Sequence, residues 1–359
     1  MLIMELVSLM TTFWKSFQVL CMRKIKFGVQ IPTCAEGLMY PVPFASPADV
    51  LKIATSAEQF GFDSIWANDH ITTQEYVRKG SPSPPNYYEA VVTLSIASQV
   101  TKKISLATGL IPLPLRNPVE LAKQIATLDV FCGGRTILGV GIGAYKEEFT
   151  AMFPDMKKVH RGDLADEALN ALTRLFIERR VSFKGKHIRF ADIELYPKPI
   201  QKPMPIYVGG NNPKGIERAA RYGQGWFPAS FTPREMTEKV SSLRCLAIEN
   251  GRDPAEIDVA PQFAICIGKT REDAIDKYKR SQLYQHDISL KTSTLKGIDV
   301  DNLEERDLIG DEDQITKRIR EYAEAGVTNF AGLIFVANTP AEMLGDMVLF
   351  ADKIIPSFR

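Results

Sequence analysis

From Lys26 onward, short apolar and β-branched runs alternate with longer amphipathic stretches. IKFGVQI (25–31) reads as a strand, and Ser46-Pro47 caps a helix that runs to about Phe60. Gly61 ends that helix and 62–67 is the second strand. A helix over 86–100 and a strand over 103–111 follow. Asn117-Pro118 opens a helix to 131, Gly133-Gly134 stops it, and 135–143 is a fourth strand that runs into glycines. A long helix covers about 160–178, and 181–197 alternates like a small hairpin outside the repeat. Strands at 205–210, 225–230, 256–268 and 329–337 complete the series, with helices over 214–223, 233–251, from Arg271, over 311–326 and from Pro340 to near the end.

That makes eight strands, each followed by helix. Strands so uniformly apolar are buried on both faces, as in parallel sheets. Strict alternation over this length predicts a single (β/α)8 barrel over 24–359, with a doubly wound open sheet as the runner-up. The stretch 281–309 breaks the rhythm. It is mixed in charge and long for a loop, and reads as an insertion acting as a lid or left disordered.

Composition narrows the function. A net charge of +1 calls for neither nucleic acid nor an anionic membrane as partner. The five cysteines are scattered and form no CxxC pair, which argues against a disulfide framework and for a reducing, cytoplasmic setting. The histidines are scattered too, so no metal site is expected. Residues 1–23 are apolar but interrupted by Glu5 and Lys15, and lack both a signal-peptide pattern and a spanning length. They read as an N-terminal extension or an upstream start, with Met22 as the natural beginning.

In a barrel the chemistry sits where strands end at the C-terminal face. After the second strand comes Asn68-Asp69-His70, and a histidine there can hold a ring or move a proton near neutral pH; the plainer reading is a loop cap. After the third come Thr108-Gly109, a bulge or a close ligand approach, or merely a kink. After the fourth, Gly139, Gly141 and Gly143 let backbone approach a ring or phosphate, though without the spacing of a dinucleotide fingerprint. Glu147 and Glu148 follow; a solvated pair is one reading, favoured for Glu147. Gly209-Gly210-Asn211 precede a helix N-terminus and suit a phosphate, or else make a tight turn. Ala229-Ser230 could line the same pocket, Arg161 is either a phosphate partner or an ordinary surface residue, and Trp66 and Trp226 read as core.

KFGVQIP, FDSIWANDH, the block from Leu113 to Phe149, PKPIQKPMPIYVGG and RAARYGQGW follow one another as in the bacterial luciferase-like monooxygenase superfamily. The resemblance spans nearly the whole chain from about residue 24, and is closest to the branch dependent on the deazaflavin coenzyme F420. It implies a barrel with insertions, often a homodimer, that binds reduced FMN or F420. By this resemblance His70 lies near the cofactor ring with Asp69 beside it, and Thr108 and Gly109 form a bulge behind the ring. Gly141 and Gly143 line its edge, and Gly209, Gly210 and Asn211 hold the phosphate. Relatives that oxidise sugar phosphates carry an acidic residue directly after the fourth-strand glycines; here Ala144 and then Tyr145 occupy that place, so a sugar phosphate is a doubtful substrate.

Two enzymatic readings follow. One is a monooxygenase using oxygen and reduced FMN from a separate reductase. The other is an F420 oxidoreductase exchanging hydride directly with a small organic substrate, His70 being the proton partner in either. The alternative from another class is a non-catalytic flavin-binding protein.

Overall fold

The computed structural model describes residues 24–292, 295–296 and 302–359; the extension read at 1–23 lies outside them. Eight parallel barrel strands follow one another around a ring. β1 (Lys26–Ile31) pairs with β2 (Ser64–Ala67), and β2 with β3 (Ser105–Thr108). β3 pairs with β5 (Thr136–Gly141), β5 with β8 (Ile206–Gly209), and β8 with β9 (Gly225–Phe227). The seventh barrel strand is split into β10 (Asp258–Val259), against β9, and β11 (Ala264–Ile267), against β13 (Asn329–Phe335). β13 returns to β1. Backbone bonds close the ring on both sides of the split: Ala260 and Gln262 donate to Trp226 and Pro228, while Thr328 and Ala331 donate to Val259 and Pro261.

The expected helices form where the capping chemistry placed them. Ser46 and Asp49 make a reciprocal capping box at α1 (Pro47–Gln59). Asn117 caps α4 (Pro118–Phe131) and Asn212 caps α7 (Pro213–Tyr222), each with proline in the first turn. Between them lie α2 (Glu75–Gly80), α3 (Ala90–Val100), α5 (Lys146–Met152) and α6 (Arg161–Ile177). After them come α8 (Pro233–Glu249), α9 (Arg271–Lys279), α10 (Gln282–Ser289), α11 (Glu312–Glu324) and α12 (Pro340–Lys353). The hairpin β6 (Val181–Lys184) with β7 (Arg189–Ile193) stands apart, as its alternation predicts.

Departures from the expected pattern have local causes. The strand expected over 103–111 stops at Thr108. The Gly109–Leu110 peptide is cis, and the short β4 (Ile111–Pro112) resumes pairing with β5. Pro261 divides the seventh strand, since proline has no N–H for the ladder. The helix expected from residue 86 begins four residues later, because Asn86 N–H is taken by Glu36 and Glu89 becomes the cap. The stretch 281–309 carries regular structure in its described part. Ser281 accepts from Tyr284 N–H to start α10, and β12 (Leu308–Gly310) adds a strand beside β11.

Trp66 fills the barrel lumen with Ala107, Tyr207, Phe227, Ala260 and Ala331. A Cβ on Gly28 would stand 2.4 Å from Trp66 Nε1, so the glycine there makes room for the indole. Trp226 points the other way, into the layer between sheet and helices, and its Nε1 donates to Gly210 O at 2.9 Å.

Candidate functional site

Segments from the C-terminal ends of four strands meet over the lumen. His70, just past β2, is the centre. Its Nδ1 lies 3.0 Å from Glu148 Oε2 on α5 and 3.0 Å from Gln74 Nε2 just before α2. Glu148 is 1% exposed, so it is not a solvated charge. Its other oxygen accepts Ile71 N–H at 3.2 Å, which pins the His70 loop to α5. Tyr87 OH lies 2.9 Å from Gln74 Oε1. Cys34 Sγ sits 3.6 Å from His70 O, and burial pushes that thiol's pKa far up, leaving it no nucleophile.

A second cluster faces the first. Tyr145, in the turn before α5, has its ring 5.9 Å from that of His70. Its hydroxyl is 3.2 Å from both His286 Nδ1 and Ser289 Oγ on α10, and Tyr76 OH is 3.0 Å from the same His286 nitrogen. Burial lowers the His286 pKa to about 3, with His70 adding to the effect, so this imidazole is neutral. Burial also raises the pKa of Tyr76, Tyr87 and Tyr145, and all three remain phenols.

The remaining residues singled out in the sequence fall into three places. Asp69 turns away from His70 and binds Arg116 Nη2 at 2.6 and 2.7 Å, fully buried. Thr108 Oγ1 donates to Gly139 O and accepts Gly139 N–H, stitching β3 to β5. Asn211 exchanges bonds with the Ala229 backbone, tying the end of β8 to the segment after β9.

The glycines form a seam between β5 and β8. Leu110 fills part of it: a Cβ on Gly209 would lie 2.1 Å from Leu110 Cδ1, and one on Gly141 3.3 Å. Gly109 packs against the indole, where a Cβ would stand 3.1 Å from Trp66 Cε3. Gly143 has φ +81° and Gly210 φ +137°, left-handed backbone that suits glycine. Two arginines flank the seam. Arg161 is half-buried and donates to Gly143 O at 2.7 Å, burial drawing its pKa down. Arg218 lines a small void with Gly141 and Gly209 and pairs with Asp166. Partly exposed backbone at Gly141, Gly143 and Gly210 beside two guanidiniums fits the phosphate of a flavin-type cofactor.

Sequence reasoning found His70 but missed Gln74, Tyr76, Tyr87, His286 and Arg116. None of these carried a signal in the sequence, since Gln74 and Tyr87 lie outside regular elements and the others come from separate segments. Among the described residues no group of His, Cys, Asp or Glu could hold a metal ion, and no helix is long and apolar enough to cross a membrane.

Known proteins resemble this chain in sequence and fold. The chain is 25% identical to an F420-dependent glucose-6-phosphate dehydrogenase of Amycolatopsis mediterranei over 87% of this chain and 95% of that one. It is 29% identical to an FMNH2-dependent dimethylsulfone monooxygenase of Pseudomonas putida, over 63% and 62%. The fold superposes on a monooxygenase of Streptomyces bottropensis with a TM-score of 0.76 at 24% identity, covering 93% of this chain and all of that one. The model of the luciferase-like monooxygenase family matches residues 25–329, and the chain belongs to that family.

Proposed function

We propose that this chain is an oxidoreductase that holds reduced FMN or coenzyme F420 at the C-terminal mouth and acts on a small organic molecule. The observation that carries this reading is the His70–Glu148 pair: a histidine steadied by a buried carboxylate, at the mouth of a barrel whose lumen is closed below by Trp66. The relatives named above are redox enzymes that use one cofactor or the other. When bound, either group supplies the electrons, reduced FMN to oxygen or F420 as hydride exchanged with the substrate. The chain's own residues do the rest. Arg161 and Arg218, with Gly143, Gly209 and Gly210, hold the phosphate. Leu110 and Trp66 form a dry floor. His70 gives or takes the proton, with Glu148 opposing any charge that builds on the ring. The mouth offers no carboxylate at Ala144, and Arg116 is engaged with Asp69, which speaks against a sugar phosphate.

The exposed stripe Val92, Ile96 and Val100 on α3, next to Phe131 at the end of α4, suits an isologous contact with a second copy. A separate reductase would serve the FMN reading. Titration of the purified chain with FMN and F420, each oxidised and reduced, followed by fluorescence, tests the proposal. Selective binding of reduced FMN supports the oxygen-using reaction, and selective binding of F420 supports hydride exchange. Binding without turnover across a broad substrate panel supports a non-catalytic carrier, and binding of neither sinks the reading.

A further inference from the structure

His70 Nδ1 has two neighbours at the same distance, and they make opposite demands. Glu148 Oε2, at 3.0 Å, only accepts a hydrogen bond. The Gln74 amide nitrogen, also at 3.0 Å, only donates one. A single ring nitrogen cannot satisfy both. If it is bare, a buried carboxylate faces its lone pair; if it carries hydrogen, the amide N–H faces that hydrogen.

The carboxylate decides. Glu148 is buried, and a charge-assisted bond is roughly twice as strong as a neutral one. Nδ1 therefore carries the hydrogen. Gln74 is fully buried, so its amide cannot turn to water to escape the conflict. Rotation of the amide by half a turn keeps its shape. It brings Oε1 to the His70 nitrogen and Nε2 to the Tyr87 hydroxyl 2.9 Å away. The only bond lost is the long 3.4 Å contact from Gln74 Nε2 to Thr72 O. Tyr87 then accepts from Gln74, and its own hydrogen is released. The ring of Tyr87 stands 6.0 Å from that of His70.

We infer that Glu148, His70 and Gln74 form a hydrogen-bond relay that turns the Tyr87 hydroxyl outward, making Tyr87 a donor to the group that lies over His70. Gln74 is a positioning residue in this relay and Tyr87 its working end. The identity of the acceptor, on cofactor or substrate, rests on the function proposed above; the relay itself does not.

The test is the tautomer of His70 in the full chain labelled with 15N-histidine, read by NMR at about pH 8, well above the ordinary histidine pKa. The chain has only 4 histidines, and the His70 signals are those lost in His70→Asn. The expected result is Nδ1–H over Nε2–H by more than roughly ten to one, the preference that a hydrogen bond to a charged partner gives. Glu148→Gln should move a large share of the ring to Nε2–H, whereas Tyr87→Phe, at the output end, should leave the ratio unchanged. Gln74→Met removes the competing amide at similar volume and should keep Nδ1–H; it serves if Glu148→Gln does not fold. Nε2–H as the main form in the unaltered chain would overturn the relay, as would a shift of tautomer in Tyr87→Phe or Gln74→Met. Titration of the same samples with reduced FMN and F420 keeps the two claims apart: an Nδ1–H ring in a chain that binds neither cofactor upholds the relay and defeats only the function.

Discussion

The two ends of the barrel are built from the same kinds of residue and put them to opposite uses. At the N-terminal end, where the strands begin, lies a cavity of about 480 Å³ lined by Lys26, Arg135, Tyr207, Asp258 and Thr328 among others. Its central polar groups are hydrogen-bonded. Asp258 takes Lys26 Nζ, Tyr207 OH and Thr328 Oγ1, and Arg135 donates to backbone oxygens of Ser98, Thr101, Ile104 and Cys132. Asn329 Oδ1 is the buried exception there. At the C-terminal end several groups share one partner. Two groups compete for one nitrogen of His70, two phenols share one nitrogen of His286, and Arg116 Nε has no partner. The bonds shared around His70 and His286, with the unpaired Arg116 Nε, mark the C-terminal end as the candidate site.

The sharpest way to break this contrast is to remove one group from each end. His70→Ala should lower the rate per bound cofactor by about 10²–10⁴-fold, the range for a lost proton partner. Steady-state kinetics beside a thermal melt check it, and an unchanged rate would move His70 out of the chemistry. Asp258→Ala should do the reverse. Three partners lose their acceptor, so stability should fall by roughly 2–3 kcal/mol in chemical denaturation, while cofactor affinity stays within error. A basal mutant that folds well but binds cofactor poorly would mean that the cavity, not the mouth, is the site.

The sequence showed one of these ends better than the other. The barrel was legible because strands buried on both faces announce themselves, and because caps such as Ser46, Asn117 and Asn212 mark helix starts in local chemistry. His70 was legible because it follows a buried strand directly. Its neighbours were not. Gln74 and Tyr87 lie in loops after β2, Glu148 on α5 and His286 on α10, and no periodicity within one segment shows that these segments converge. Asp69 shows the limit most clearly: it adjoins His70 in sequence, yet its strand end aims it at Arg116 instead. The glycines were read as room for a ligand, and Leu110 takes part of that room. No pattern in the sequence announces a side chain swung inward by the turn after β3.

That last point can be tested between the two ends. Gly209→Ala would put a Cβ 2.1 Å from Leu110 Cδ1, which must give way. Overpacking of this kind should cost about 1–3 kcal/mol. The double variant Gly209→Ala with Leu110→Ala should recover most of that loss relative to Leu110→Ala alone. If the two substitutions were simply additive in a denaturation cycle, Leu110 would not be what the glycine accommodates.

The smallest expected effect lies in α10, where contested bonding should appear as a pH slope. His286 has its pKa lowered to about 3 by burial, against 6.5 ordinarily. Between those values the unfolded segment binds a proton that the folded one refuses, so folding of α10 gains from His286 as pH rises from about 3 to 6.5 and loses it on acidification. Its neighbour Asp287 works the other way: burial raises its carboxyl, and the stability tied to its proton is lost as pH rises. The sum of the two has no fixed sign, but the difference between the chain and its His286→Gln variant does. Hydrogen exchange of α10 should show protection in the unaltered chain rising relative to the variant across that window, and parallel profiles would mean that His286 is solvated and that Tyr76 and Tyr145 do not hold it.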